Sequence, residues 1–375
     1  MKLIRLYPSV YVDVCKNTAL FCNVAKQYIQ QFDFEKIIKV PNKTSLIVSE
    51  FNNNHFIDTC IEKFGRVDDI GEYEIDVLTD YFTDIDQYYK KTITQCWESW
   101  YVGKNYITRL TVDLTGRKNN PFSCARECSN MSEKVLSCLF KNIHKLEKLE
   151  SIYFESNWET LIILSMIIKR YPLVYYKTRI NIEYEDYLQH ENEILLLYEQ
   201  INVIIYDVKK TDIESLSKLL KTNRVQSVFI EINNCSDYET YSFLASFSPQ
   251  KIRIKIGNKI HLDDLHKLLL YDKCSVLESV KTKVQLIKQE YINTLYWGEM
   301  IVCSNGDVLL NQNSCVGNVI DWDNIEFCLL INSDKSLWRM VRNKYEPCIQ
   351  CLYRNLCPSL TMFESQNNTV FCTHN

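Results

Sequence analysis

Six short runs rich in β-branched and aromatic residues lie between residues 106 and 257, with helical spacing in much of the chain between them. The runs are YITRLTVDL (106–114), LESIYFES (149–156), VYYKTRINIEY (174–184), INVIIYDV (201–208), VQSVFIEIN (225–233) and KIRIKIG (251–257). Helical patterns between them include MSEKVLSCLFKNIHKLEKL, DIESLSKLLKT and HLDDLHKLLLYD, with Thr211 or Asp212 placed to cap the second. Strands separated by a helix cannot pair through a tight hairpin. They join in parallel by right-handed crossovers. The expected fold class is therefore α/β, with a partial (β/α)6 TIM-like barrel over residues 101–290 and a doubly wound open sheet as the second arrangement.

At 375 residues the chain exceeds what one hydrophobic core usually serves, and the flanks read as separate modules. In residues 1–100, SVYVDVCKNTALFCNV alternates on both sides of Lys16-Asn17 and predicts a β-hairpin. HFIDTCIEKF (55–64) has helical spacing, and EYEIDVL follows as a strand. This predicts a small α+β module with an exposed sheet edge, on which an extended peptide can dock. In residues 291–375, YWGEMIVCSNGDVLLN predicts a hairpin turning at Ser304-Asn305-Gly306, and SLWRMVRNKY predicts a short amphipathic helix.

Composition excludes several functions. Only 8 glycines occur, against about 26 expected at ~7 % usage. No GxGxxG or P-loop is present, so the usual phosphate cradles are missing. With 43 basic and 47 acidic residues and no basic tract, neither nucleic acid nor a membrane surface is an expected partner. TLIILSMII (160–168) is too short to span a bilayer and reads as a buried helix. The first residues carry no secretory pattern, which predicts a cytoplasmic protein. No HExxH or GxSxG occurs, and EYEDY (183–187) reads as a solvated rim at a strand end.

Sixteen cysteines without a secretory pattern predict thiols or metal ligands, not disulfides. Most are single and read as small buried hydrophobes, for example Cys60, Cys138, Cys235 and Cys274. Cys348, Cys351, Cys357 and Cys372 are different. Cys348 and Cys351 form a CxxC that can reach one metal from a single turn, Cys357 returns after a loop, and Cys372 comes from the tail. Four thiolates suit tetrahedral zinc or a 4Fe–4S cluster, and the three-plus-one arrangement favours the cluster.

This tail, with the hairpin and WR segment before it, resembles a SPASM domain, the cluster-bearing extension of radical SAM peptide-maturation enzymes. Cys348, Cys351, Cys357 and Cys372 match four places of its seven-cysteine pattern, which implies one outer 4Fe–4S cluster, with zinc as the alternative. The inner cluster's places fall on Thr361 and Asn311, with Cys303 and Cys315 out of step. The resemblance implies a radical SAM barrel, whose catalytic cluster needs C-x3-C-x2-C after the first strand. Here Cys124 and Cys128 match two places and Met131 takes the third. Ser156, Asn157 and Trp158 stand where the family has its Gly-Gly-Glu stretch, so S-adenosylmethionine is not expected to bind.

The whole chain thus resembles a pseudo-radical-SAM/SPASM protein, similar to the family of GG-Bacteroidales peptide-maturation systems. The similarity implies a catalytically silent protein that binds a precursor peptide or an active radical SAM maturase. Two other functions compete with it. One is an active radical SAM enzyme with atypical ligation, testable by formation of 5′-deoxyadenosine. The other is a metal-stabilised electron-transfer or accessory protein, whose two versions metal analysis separates.

Overall fold

The alternation of β-branched runs with helices produces one long sheet, because each strand buries an apolar row that only helix packing can cover. In the computed structural model, residues 2–39, 45–49, 54–69, 104–116, 129–197, 201–205, 216, 225–232, 235–247, 251–256, 282–311, 313–366, 370 and 372 are described. Cys96, Cys124, Cys128, Cys274, the EYEIDVL strand, HLDDLHKLLLYD and all of DIESLSKLLKT except Leu216 lie outside them.

The first part of the chain holds β1 (Lys2–Leu6), β2 (Val10–Cys15), β3 (Thr18–Asn23), β4 (Tyr28–Asp33), β5 (Ile37–Lys39), β6 (Ser45–Val48), α1 (Asn54–Thr59) and β7 (Gly65–Asp69). Among the described residues these form a four-stranded sheet, β5-β6-β1-β7, and a three-stranded sheet, β2-β3-β4, both antiparallel. The expected hairpin is present: β2 and β3 pair with Cys15 opposite Thr18, and Lys16 takes a left-handed φ of 54° in the turn. The predicted helix over 55–64 is only partly α-helical, since Cys60–Phe64 winds as a π-helix. Its Phe56, Cys60 and Phe64 share an apolar cluster with Ile4, Val12, Phe21 and Leu46, which ties both sheets together. Phe21, Phe32, Phe56 and Phe64 meet mostly edge to face.

The main sheet is built from β8 (Arg109–Asp113), β9 (Ser151–Ser156), β10 (Thr178–Glu183), β11 (Ile201–Ile205), β12 (Val225–Ile232), β13 (Ile252–Ile256), β14 (Glu299–Val302), β15 (Asp307–Asn311) and β16 (Ser314–Asn318). Its order is β13-β12-β11-β10-β9-β8-β14-β15-β16. All six expected strands pair in parallel, in unbroken sequence order. With right-handed crossovers, an order without reversal puts every crossover on one face. A doubly wound sheet needs a reversal, and this order has none. Among the described residues the sheet does not close on itself.

The predicted strand over 174–184 is shorter, because Pro172 at the first helical position starts a helical turn at Pro172–Tyr175 and the strand begins at Thr178. In EYEDY the acidic residues sit at the strand end and reach solvent, Glu185 being exposed and Glu183 and Asp186 half-buried. Glu183 ends β10 and Tyr184–Gln189 is helical, with Tyr184 and Tyr187 buried.

The C-terminal hairpin forms as expected, turning at Gly306 with φ 91°. β14 enters the main sheet parallel to β8, so this segment continues the sheet. The SLWRMVRNKY segment is not an amphipathic α-helix. It makes 3-10 turns at Leu337–Arg339 and Arg342–Lys344. Trp338 is pinned in the core, giving its indole N–H to the Glu299 carbonyl at 2.8 Å, while Ser336 Oγ accepts from the Trp338 amide. Those anchors hold the chain in short turns.

Candidate metal centre

The cysteine segment is presented by local turns. Cys348–Gln350 is a 3-10 turn, and the Cys351 amide closes it on the Cys348 carbonyl at 2.9 Å. Cys348 and Cys351 thus flank one tight turn. A second turn brings the Cys357 amide to the Tyr353 carbonyl at 3.0 Å. Cys348 and Cys357 are buried, Cys351 and Cys372 are half-buried, and all four are free thiols.

The four belong to one electrostatic neighbourhood. Cys348 feels the charge of Cys372, Cys351 feels Cys372 and Cys348, and Cys357 feels Cys372, Cys351 and Cys348. Every pairing among them is thus represented. Among the described residues, however, no group of three or more His, Cys, Asp or Glu side chains closes on one ion position. The set fits a four-sulfur centre in donor chemistry, and a metal would have to draw the sulfurs together.

A buried cation stands beside them. Arg342 is 4 % exposed and gives NH2 to both oxygens of Glu364, at 2.9 and 3.2 Å. Its Nε donates to the Pro358 carbonyl at 2.6 Å, and NH1 approaches Cys348 Sγ at 3.6 Å. Burial alone would lower its pKa, but Glu364 first, then Cys348 and Cys357, raise it, so the guanidinium stays charged. Burial raises the Cys348 thiol while Arg342 pulls it down. Burial drives Cys357 up to about 12, against the pull of the same guanidinium. Before loading, the thiols therefore favour their neutral form. A thiolate forming at Cys348 meets a charge already in place.

The inner-cluster positions do not gather. Thr361 gives its amide and hydroxyl to Glu364, and Asn311 donates to the Lys335 carbonyl. Cys303 sits in the main apolar core, whereas Cys315 is exposed.

In the sheet, Met131, which takes the third place of the C-x3-C-x2-C pattern, is 3 % exposed and packed in the main core, its amide on the Leu114 carbonyl at 2.8 Å. At the positions of the Gly-Gly-Glu stretch, Ser156 is buried and donates to the Asn181 carbonyl. Asn157 caps the helix Trp158–Ile168 through a reciprocal pair with Thr160, and the Trp158 ring lies flat on His190 with centroids 4.0 Å apart.

Sequence reasoning missed a polar face. Leu110, Val112, Ile152, Phe154, Ile180, Ile182 and Val203 face the helices. The alternate residues Asp113, Glu155, Asn181, Asn202 and Ser227 fall in register across five parallel strands. Asn202 donates to Asn181 at 2.8 Å, and Asn181 donates to Glu155 at 2.7 Å. One position down, Thr111, Tyr153 and Arg179 align, with Arg179 donating to the Tyr153 hydroxyl at 3.0 Å. The signal was available as polar residues at every second place in RLTVD, SIYFES and RINIE. It also missed Arg342, Glu364, Asn355 and Asp13, for which no local pattern exists.

No family model matches this chain, and no curated protein does. Among solved structures, the crystal structure of Streptococcus suis SuiB bound to S-adenosylmethionine is similar at 10 % sequence identity and a TM-score of 0.43, covering 100 % of this chain and 99 % of that one.

Proposed function

We propose that this chain is a catalytically silent, radical-SAM-like protein of a peptide-maturation system. In this reading it binds a precursor peptide or an active maturase, and Cys348, Cys351, Cys357 and Cys372 hold one structural centre, 4Fe–4S or zinc. When bound, such a centre supplies cross-links between the turns that carry the four cysteines.

The observation that carries the silence is Met131. The third place of the catalytic pattern belongs to a side chain packed in the apolar core beside Leu114 and Val135. A thioether there is both a poor ligand for iron and turned to packing. Trp158 and Asn157, placed where glycines would let a cofactor approach the backbone, add to the same reading. For peptide binding, the support is the row Glu155, Asn181 and Asn202. These amides and the carboxylate bond to one another, and an extended chain laid on the row would exchange partners with them.

The test has two arms. Anaerobic reconstitution with iron and sulfide, followed by incubation with S-adenosylmethionine and a reductant, is expected to give no 5′-deoxyadenosine above background. Sustained production of that nucleoside overturns the silent reading. Titration with a precursor peptide from the same system, and pull-down with its maturase, is expected to give saturable binding to at least one. Binding to neither overturns the binding role. Elemental analysis then separates iron with sulfide from one zinc per chain.

A further inference from the structure

We infer that the tail centre is closed from the opposite end of the chain. Asp13 of β2 is a positioning residue for the loop 352–356 between Cys351 and Cys357, and metal loading is coupled to docking of the β2-β3-β4 sheet. The inference rests on the reading of the four cysteines as a metal centre.

The junction is buried and polar at its heart. Asp13 is 1 % exposed. Its Oδ1 accepts from Arg354 NH2 at 2.8 Å, and its Oδ2 accepts from Asn355 Nδ2 at 2.9 Å. Arg354 also donates to the carbonyls of Ile349 and Cys351, at 2.6 and 3.3 Å, so a single guanidinium ties Asp13 to the CxxC turn. Asn355 donates again to the Tyr11 hydroxyl at 2.9 Å, which in turn donates to Glu290 at 2.6 Å. Cys15, at the end of β2, donates to the Gln350 carbonyl at 3.2 Å. Around these bonds, Tyr11, Leu20 and Cys22 share an apolar cluster with Tyr353, Leu356 and Cys357.

The physical consequence is reciprocal. The loop that carries Cys357 is held by the N-terminal sheet, and separating the two breaks the bonds of Asp13 to Arg354 and Asn355 and opens the shared apolar cluster. A metal that fixes Cys351 and Cys357 therefore favours the docked sheet, and the docked sheet holds the thiols for the metal, by the same factor. The outer partners of ligand-bearing segments are expected to set metal affinity in this way.

The experiment uses the full chain, loaded with zinc alone or anaerobically with ferrous iron and sulfide. Release of metal to a chromogenic chelator is followed for wild type, Asp13→Asn and Asp33→Asn. The last makes the same charge change on the exposed edge of the same sheet, where Asp33 accepts from Thr18. Asp13→Asn is expected to weaken retention by roughly tenfold or more, and Asp33→Asn to leave it unchanged. Hydrogen exchange of wild type, with and without metal, covers the case in which Asp13→Asn misfolds. Amides in residues 10–23 are expected to lose protection on stripping, while those of β9 and β10 keep it. An Asp13→Asn variant that holds metal as well as wild type, or a wild-type chain whose residues 10–23 exchange alike in both states, overturns the coupling alone. A chain that holds neither zinc nor iron fails the centre itself, and this inference falls with it.

Discussion

Arg342 and Glu364 form an ion pair with side chains 4 % and 0 % exposed. In such a place the cost of removing one partner exceeds the worth of the pair, because the survivor remains a buried charge. Glu364→Gln is expected to destabilise the fold by about 3 kcal/mol, measured by denaturant unfolding. The double change Arg342→Met with Glu364→Leu is expected to recover most of that loss while weakening metal retention, since the guanidinium at 3.6 Å from Cys348 goes with it. Met131 makes the opposite point. Met131→Cys completes the C-x3-C-x2-C pattern in sequence, but the new thiol inherits a core position 3 % exposed. Anaerobic reconstitution of that variant, in a background with Cys348 and Cys357 changed to Ser, is expected to give no more bound iron than the background alone. A gain in iron would show that the residue turns outward. Of the proposed centre, the four cysteines stand out in the sequence by their spacing. Arg342, Glu364 and Asp13 do not, because an isolated charge in sequence says nothing of what buries it.

The elements followed local pattern where a period was clean. The six parallel strands, the hairpin at Lys16-Asn17 and the turn at Gly306 all come from alternation or turn chemistry that short-range sterics enforce. SLWRMVRNKY failed because Trp338 found a tertiary partner, the Glu299 carbonyl, which no helical period encodes. The small N-terminal sheets carry their own prediction. Cys22 and Cys60 are both pushed up to about 12 by burial. In the folded state these thiols stay neutral where the unfolded chain has begun to ionise. Stability they contribute is complete below the ordinary thiol range and is lost as pH rises from about 9 toward about 12. Unfolding of residues 2–69, followed by hydrogen exchange or intrinsic fluorescence, is expected to shift to lower denaturant across that window. Cys22→Ala with Cys60→Ala is expected to flatten the dependence. An equal slope in the double variant would assign the effect to other groups.

At the scale of the whole molecule, the tail is joined to the sheet by hydrogen bonds and apolar packing. Asn293 is 1 % exposed and donates to the carbonyls of Met340 and Leu360, at 2.8 and 2.7 Å. The Tyr296 hydroxyl accepts from the Met362 amide, and Met362 itself lies in the main apolar core with Leu337 and Trp338. Two kinds of damage should therefore differ. Changing Cys348, Cys351, Cys357 and Cys372 to Ser removes the proposed ligands and leaves these bonds in place, so the main sheet is expected to unfold near its wild-type denaturant midpoint. Deleting residues 346–375 exposes the Asn293 amide, the Tyr296 hydroxyl and the Arg342 guanidinium while opening the core at Met362. Groups stripped of partners in this way cost about 1–3 kcal/mol each, which together rivals the roughly 5–15 kcal/mol stability of an ordinary domain. The truncated chain is expected to be insoluble or to lose its near-ultraviolet aromatic signal. A truncation that folds like the serine variant would instead make the tail a detachable module whose bonds to Asn293 and Tyr296 add little to the sheet.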